Sequence, residues 1–540
     1  MQKSIIAVAI LSGLTSMSVD AGKVSIDTVL DASWVQQKYT FATSDDVSIN
    51  TIEVKPTVAM QYDAARANVR GTLSHVQQRT SFDNDNDSVN NNFTEYTLTS
   101  QLTILKRLLT ANGSISQNYT SFNPNQFLID DFLLQEDELN KVQRSSFGLN
   151  STIIQGDYFG GQASVSTNRF KTFDKINQIN RETSGDTLAL GIFSGRDFNW
   201  LSWSVDYTKR NSEQFNNGDF SSQYLQANAS FKLLDDFGLS LTAQDETNTL
   251  STASSAQNDA REFSSYGVGI NYSPTNNRSI AVYYNKPSSA SNDTDNFVSG
   301  SVNWDFSSRT AIDATISKRY YGRSLNANFR FNNRAFRMVI GRSESVTSSA
   351  QLLLDGTINA NFVCGTGTID IGDCFLPDTL DYELGVGESL ISFSQPNFSL
   401  DDNLTLRKQH FINLSYQQRK LTYSLNASEN EDSNELSEAR FATRSIVGGI
   451  NYQIGVFTSL NWDHSKSETK SFVAKLLEGT GNIRRHDISV ERQFGRDVSL
   501  TLTLSDIERE GFVPGFTNIR NEDFSDNRIT LSVRYQPNSI

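Results

Sequence analysis

The chain has 540 residues, of which 37% are hydrophobic and 11% aromatic, and its formal net charge is −14. This acidic balance argues against a general affinity for nucleic acid, and the aromatic content argues against a disordered chain. The mean hydropathy of −0.42 also suits an ordinary soluble protein, so composition alone does not assign the fold.

The first residues are typical of a secretory leader. Lys3 precedes an apolar run from Ile5 to Leu14, and small residues lead up to Ala21. This order predicts a signal peptide at residues 1–21 that is cleaved after Ala21; a buried N-terminal helix is the less favoured alternative. No later segment has the roughly 18 consecutive apolar residues that a spanning helix needs. We therefore expect an exported protein without a helical anchor.

Apolar and polar residues alternate along the rest of the chain. In the stretch VSGSVNWDF (298–306), Val298, Val302 and Trp304 share one parity and the residues between them are polar. The same pattern recurs at 96–104, 224–233, 324–331, 421–427, 445–453 and 499–506. Successive strand side chains point to opposite faces, so a period of two predicts strands with one apolar and one polar face. The sequence therefore predicts an all-β fold.

The connections between these strands alternate between short and long. Short turns such as SSR (307–309) contrast with long polar stretches at 81–92, 171–186, 251–260 and 429–439. Short periplasmic turns and long extracellular loops are typical of a large up-and-down antiparallel transmembrane β-barrel, and we count about 24 strands, within roughly 22–26. Residues 22–540 would form this single barrel domain. A two-sheet sandwich also alternates, but it does not need alternating loop lengths over one unbroken array.

An aromatic residue directly precedes many of the short turns. An aromatic ring at a fixed depth is what the interfacial girdle of a membrane barrel requires. The predicted girdle residues are Tyr62, Phe193, Tyr272, Phe306, Phe331, Tyr416 and Phe494. The apolar faces would then contact lipid, and the polar faces would line a lumen.

The longest connection, residues 344–402, is acidic and contains both cysteines of the chain. No Lys or Arg occurs between Ser343 and Leu406. Its acidic residues include Asp355, Asp370, Asp373, Asp378, Asp381, Glu383 and Glu388. In an exported protein the pair Cys364 and Cys374 predicts a disulfide. The segment is either an outer lid, an inward constriction or an ordinary surface loop.

Candidate catalytic and metal-binding residues are few. The four histidines, His75, His410, His464 and His486, fall in separate parts of the sequence, and no P-loop, HExxH or CxxC motif is present. The stretch DNDND (83–87) resembles a calcium loop but lacks the Gly and terminal Glu of an EF-hand. We expect no enzyme activity, no catalytic or cofactor-binding residues and no cofactor, with loop-bound calcium as the one alternative.

The repeated hairpins resemble those of a known group of proteins. The stretches FSSRT (306–310), YSPTNNR (272–278) and FGRD (494–497), together with residues 52–76, are similar to the porin-type outer-membrane β-barrels encoded with exopolysaccharide and exosortase (PEP-CTERM) systems. This resemblance implies a role in exopolysaccharide export or surface assembly, with a polysaccharide as a partner. It supplies no catalytic residues.

The last amphipathic stretch, RITLSVRYQ (528–536), resembles the C-terminal assembly signal of outer-membrane barrels, although the chain continues past Tyr535. It implies the barrel assembly machinery as a partner. The expected location is the outer membrane of a Gram-negative bacterium, in contact with its lipid and lipopolysaccharide. The expected function is a channel or conduit. The alternatives are a general porin for small solutes and a structural or adhesive surface barrel without transport.

Overall fold

The computed structural model describes most of residues 22–540. The described residues are 22–41, 46–83, 88–120, 133, 139–173, 180–198, 200–213, 218–251, 259–275, 277–288, 295–348, 362–365, 371, 374–376, 388–391, 404–434, 440–473, 477–512 and 523–537. The predicted signal peptide at 1–21 lies outside them. No helix with the length and apolar character to cross a membrane occurs among the described residues.

The described residues form 26 β-strands. Their bounds are β1 Lys23–Phe41, β2 Val47–Asp63, β3 Ala67–Phe82, β4 Ser88–Leu105, β5 Leu109–Thr120, β6 Asn140–Ile153, β7 Phe159–Phe173, β8 Asn180–Ser194, β9 Leu201–Glu213, β10 Asp219–Lys232, β11 Phe237–Ser251, β12 Asp259–Thr275, β13 Arg278–Pro287, β14 Phe297–Ser307, β15 Thr310–Arg319, β16 Gly322–Asn332, β17 Phe336–Ser348, β18 Phe362–Gly365, β19 Glu388–Ile391, β20 Leu404–Gln418, β21 Leu421–Asn434, β22 Arg440–Gln453, β23 Thr458–Val473, β24 Leu477–Phe494, β25 Val498–Phe512 and β26 Phe524–Tyr535.

Twenty-four of these strands close into one barrel. Each strand pairs antiparallel with the next strand of the chain, β17 pairs with β20, and β1 pairs with β26 to close the ring. β18 and β19 form a separate two-stranded sheet. The predicted all-β fold, its up-and-down antiparallel order and its strand number are confirmed.

Short turns lie at one end of the barrel, together with the start of β1 and the end of β26. They range from two residues between β14 and β15 (308–309) to six between β8 and β9 (195–200). The opposite end has the longer connections, of which β17 to β20 is the longest, although β15–β16 (320–321) and β23–β24 (474–476) are joined there by only two and three residues. This arrangement matches the predicted alternation and puts both ends of the barrel sheet on the short-turn side.

Several stretches expected to be long loops are largely strand. β7 continues to Phe173 and β8 begins at Asn180, so most of 171–186 belongs to the wall. β21 likewise continues to Asn434, well into the expected loop 429–439. Above the membrane both faces of a strand contact water, so its outer end is polar on both sides. The composition of such a strand end is the same as that of a loop.

The apolar parity of each strand faces outward. On β14 and β15 the outward side chains Val298 and Ile316 are 63% and 45% exposed. Asn303 has the opposite parity, and its Nδ2 donates to Asp313 Oδ1 on the neighbouring strand at 2.8 Å. On β21 the inward residues Ser424, Asn426, Ser428 and Asn430 are buried. A closed ring with an apolar exterior and a polar interior is the architecture that spans outer membranes.

We expect the protein to show heat-modifiable migration. A closed barrel resists detergent at room temperature because its backbone hydrogen bonds form an uninterrupted ring. Unboiled and boiled samples from the outer-membrane fraction should migrate differently on a denaturing gel. Recovery in the soluble periplasmic fraction, with no shift on boiling, would contradict the barrel.

A matched pair of substitutions tests the strand register. Val302 lies on the outward parity of β14, midway between exposed Val298 and exposed Phe306. Val302→Arg should cost about 2–4 kcal/mol, as expected for a cation at the bilayer midplane. Asn303→Arg should be much milder, because that side chain faces water beside Asp313. Urea titrations of the refolded variants in lipid vesicles measure both effects, and equal losses would show that the register is wrong.

Candidate functional site

The inner wall of the barrel consists largely of hydroxyl and amide side chains that bond across neighbouring strands. Examples are Ser428 Oγ with Ser445 Oγ at 2.7 Å, Asn426 Nδ2 to Asn413 Oδ1 at 2.5 Å and Asn451 Nδ2 to Asn461 Oδ1 at 2.6 Å. Each such pair satisfies part of the hydrogen-bonding capacity of the two groups. The ion pair Arg407–Asp432 lies on the same face, so the inner wall combines neutral polar groups with paired charges.

Part of the β17–β20 connection forms a small folded unit, which we call the disulfide lobe (residues 362–365, 371, 374–376 and 388–391). Its strands β18 and β19 pair from Phe362↔Ile391 to Gly365↔Glu388. A bridge joins Val363 to Phe375 through two backbone hydrogen bonds of 2.8 and 3.0 Å. Cys364 and Cys374 form a disulfide with their Cα atoms 4.3 Å apart.

The disulfide lobe lies inside the barrel. Ser424 Oγ, on the inward face of β21, donates to the carbonyl oxygen of Cys374 at 3.1 Å. The Arg337 guanidinium, on the inward parity of β17, donates to the carbonyl oxygen of Leu376. Val447, on the inward face of β22, packs in one buried cluster with Phe362, Cys364, Ile371, Cys374 and Leu376. The lobe thus contacts three strands of the inner wall through both polar and apolar groups.

The contacts are deep in the lumen. Arg337 is the second residue of β17, two positions after the short turn 333–335, and Ser424 is the fourth residue of β21. At about 3.3 Å per strand residue, Ser424 is about 10 Å along its strand from the short-turn end. The connection leaves the wall at the opposite, long-loop end. Both contacts therefore lie far from the end at which β17 and β20 leave the wall, and the geometry is that of an inward constriction.

The predicted acidic residues of this connection lie mostly outside the described residues. Asp355, Asp370, Asp373, Asp378, Asp381 and Glu383 are outside them, and Glu388 is the first residue of β19. The connection also starts later than expected, since β17 continues to Ser348. Glu344 is a buried wall residue whose Oε1 accepts from Arg342 Nε at 3.1 Å.

The predicted girdle residues all occur at the short-turn end, but they do not share one face. Tyr62, Tyr272, Phe306, Phe331, Tyr416 and Phe494 have the outward parity of their strands. Ring contacts join Tyr272 to Phe237 at 4.8 Å and Tyr416 to Tyr423 at 6.1 Å. An outward ring of aromatics thus follows the barrel edge over these strands.

Phe193 is the exception. The exposed neighbour Ile192 has the outward parity of β8, so Phe193 points into the lumen. There it lies opposite Gly160 on β7, and a Cβ atom at Gly160 would come within 2.4 Å of its ring. The position of Phe193 before a turn predicted correctly that it lies at the short-turn end of the barrel. It predicted wrongly that the ring faces lipid, because depth along a strand and the face of the strand are independent.

Two of the four histidines are neighbours. His464 on β23 and His486 on β24 are directly opposite in the register, with their Nδ1 atoms 3.1 Å apart and their rings stacked at 4.3 Å. The register of the β23–β24 hairpin is the sequence signal that pairs them, because positions on either side of the turn at equal distance lie opposite each other. His75 and His410 are single residues on β3 and β20.

Metal-binding groups are scarce in the part of the chain that the structure describes. No three His, Cys, Asp or Glu side chains there are placed to hold an ion together. Of the calcium-like stretch 83–87, only Asp83 is described, and its Oδ1 accepts from Asn50 Nδ2 at 3.3 Å.

The closed antiparallel ring, its apolar exterior and its polar, internally occupied lumen define the class of the protein as an outer-membrane β-barrel. The outer membrane is accordingly its location. No family model and no curated protein matches the chain.

Several solved structures are similar in fold. The FrpB iron transporter from Neisseria meningitidis (F5-1 variant) is 9% identical and aligns over 95% of this chain and 82% of its own, with a TM-score of 0.44. BauA, the ferric preacinetobactin receptor from Acinetobacter baumannii, is 8% identical over 95% and 81% of the two chains, with a TM-score of 0.38. OmpT, an outer membrane protein of Vibrio cholerae, is 9% identical over 96% and 100%, with a TM-score of 0.30.

Removing the Arg337 side chain should loosen the disulfide lobe. A hydrogen bond to a charged donor contributes about 1.5–3 kcal/mol, and its loss should speed amide exchange at Val363 by about 10–100-fold. Hydrogen exchange of Arg337→Ala in detergent measures this effect. Arg334→Ala, in the exposed turn before β17, is the matched control and should leave exchange unchanged. Equal exchange in both variants would contradict anchoring through Arg337.

Proposed function

We propose that this protein is a passive, non-catalytic passage through the outer membrane for hydrophilic, hydroxyl-rich solutes, and that its own disulfide lobe closes the passage at rest. The observation that carries the proposal is the contact of the lobe with Arg337 and Ser424, close to the short-turn end of the lumen, and with Val447, halfway along β22. A segment that served only as a surface loop would have no reason to reach that depth.

The chemistry of the wall supports the choice of solute. Ser, Thr, Asn and Gln side chains both donate and accept hydrogen bonds, as sugar hydroxyls do. Paired amides such as Asn426 and Asn413 are almost inaccessible to solvent in the structure, and in an open passage they would exchange their partners for a passing hydroxyl group without leaving a charge unpaired. Neutral polar groups of this kind offer many weak and equivalent sites, which allows a solute to move on after it binds.

An exopolysaccharide is the solute class we favour. The support for it is the resemblance of the turn sequences to barrels encoded with exopolysaccharide systems, together with the hydroxyl and amide content of the wall. A general porin would pass small solutes of any kind, and an adhesive barrel would pass none. Single-channel recording with and without added polysaccharide separates the three, because only a polysaccharide conduit should be blocked reversibly by the polymer.

Deleting the inserted segment should open the lumen. We expect replacement of residues 350–398 by a short Gly-Ser linker to raise single-channel conductance several-fold over wild type in planar bilayers, because the lobe then no longer occupies the short-turn end. A deletion of 289–294, in the connection from β13 to β14, is the matched control and should leave conductance near the wild-type value. If the segment deletion folds, by its gel shift, and conducts no better than wild type, the lobe is not the barrier.

A further inference from the structure

The hairpin of β15 and β16 leaves the barrel wall at its outer end. Pairing of β14 with β15 stops at Gly300↔Ile316, and pairing of β16 with β17 stops at Ala327↔Arg342. The two hairpin strands continue to pair with each other up to the turn at 320–321. Residues 317–326 therefore form a tip, the hairpin tip, that is bonded to itself and to neither neighbouring strand by the backbone ladder.

The hairpin tip folds over the inner face of the wall. Arg319 forms a two-pronged ion pair with Glu246 of β11, with Nε–Oε2 at 2.7 Å and Nη2–Oε1 at 2.6 Å. Gln244 of β11 donates to the carbonyl oxygen of Lys318 at 3.4 Å. Three strands, β12 to β14, lie between β11 and β15 in the ring, so these contacts are possible only across the lumen side.

The inner faces of the intervening strands are buried accordingly. Phe263 and Ser265 on β12 and Asn285 on β13 all have the inward parity and are almost inaccessible to solvent. Lys318 lies over the ring of Phe297 at 5.7 Å. The hairpin tip thus covers a patch of wall that would face open water in an unobstructed lumen.

The turn of the hairpin tip joins two distant parts of the barrel. Tyr320 and Tyr321 pack on a buried cluster made by Phe220, Leu250, Val346 and Leu406. Phe220 and Leu250 belong to β10 and β11, whereas Val346 and Leu406 belong to β17 and β20. These wall segments are close to the long-loop end. Burial raises the pKa of the Tyr321 phenol, consistent with a turn enclosed by protein rather than exposed at the surface.

The Arg319–Glu246 pair holds this arrangement without making it permanent. The Glu246 side chain is fully buried, and Arg319 also lies over the ring of Tyr224 at 5.3 Å. A buried ion pair recovers in Coulomb energy about what its charges lost in hydration, so its net contribution to stability is small. If the hairpin tip moved away, both charges would regain water. The pair therefore fixes the hairpin tip in the closed position, and a modest force is enough to move the tip away from it.

We infer that the hairpin tip is a second gate, at the outer mouth of the barrel, in series with the disulfide lobe near the inner mouth. This inference rests on the proposed function, since a gate requires a passage. It deepens that function by placing the control of passage at both ends of the lumen. A solute crossing the barrel would meet the hairpin tip, held by its apolar cluster and its ion pair, at one end and the disulfide lobe at the other.

Two barriers in series make a specific prediction for conductance. Four proteins are compared in planar bilayers: wild type, the double variant Arg319→Ala/Glu246→Ala, the 350–398 deletion, and the two changes combined. We call the double variant the latch variant. The latch variant removes both charges, so no unpaired charge stays buried. We expect the latch variant alone to conduct like wild type, the deletion alone to conduct more, and the combination to conduct several-fold more than the deletion.

A matched variant controls for the loss of a buried ion pair. Arg407 and Asp432 also form a two-pronged pair on the inner wall, with both N–O distances at 2.7 Å, but they join neighbouring strands β20 and β21. Arg407→Ala/Asp432→Ala, added to the deletion, should leave its conductance unchanged. Every variant is first checked for a heat-modifiable gel shift so that only folded barrels are compared.

The outcomes separate the two ideas. If the deletion and the combination conduct equally, or if the control pair gives the same rise as the latch pair, the hairpin tip is not a gate, while the proposed passage stands. If none of the folded variants conducts more than wild type, the proposed function itself is wrong. If the latch variant alone conducts as much as the combination, the lobe is not a barrier in series.

Discussion

The structure depends on one constraint: inside a bilayer, each backbone N–H and C=O group must find a partner within the protein. An unpaired group in hydrocarbon costs several kcal/mol, so a sheet in the membrane has to have no edges. The pairing of β1 with β26, from Leu30↔Tyr535 to Phe41↔Phe524, removes the last two edges. Arg534 Nε and Asp31 Oδ1, 2.7 Å apart, add an ion pair across the same seam.

A closed ring of so many strands encloses a wide interior, and that interior has to be filled by water or by protein. Side chains alone fill a barrel of about eight strands, and wider barrels hold water or an inserted plug. Here the interior is occupied from the wall itself: one long connection contributes the disulfide lobe and one short hairpin bends inward. Both are held by wall residues: the lobe bonds to Ser424 and Arg337, and the hairpin bonds to Glu246. The width of the ring thus accounts for the position of both.

The sequence allowed the repeating part of this architecture to be predicted, because parity along a strand is a local property. Val298 and Val302 were assigned to the outer face from alternation alone, and the strand count followed from the number of alternating runs. The contacts within the lumen were not accessible in this way. Ser424 and Cys374 are 50 residues apart, and Arg319 and Glu246 are 73 apart. No periodic pattern links such pairs. Phe193 shows the limit even for local rules, because a turn fixes the depth of a side chain but not its face.

The connection that carries the lobe leaves and rejoins the barrel at the same end, so two arms of chain join the lobe to the wall. Residues 349–361 and 392–403 are thirteen and twelve residues long, counted between β17, β18, β19 and β20. An extended chain spans at most about 3.3–3.6 Å per residue, so each arm can reach about 40 Å. That reach is comparable with the length of the strands around the lumen, so the arms alone do not hold the lobe at one depth. Its position is set instead by the contacts with Ser424, Arg337 and Val447, and the two arms act as a tether that limits how far it can travel.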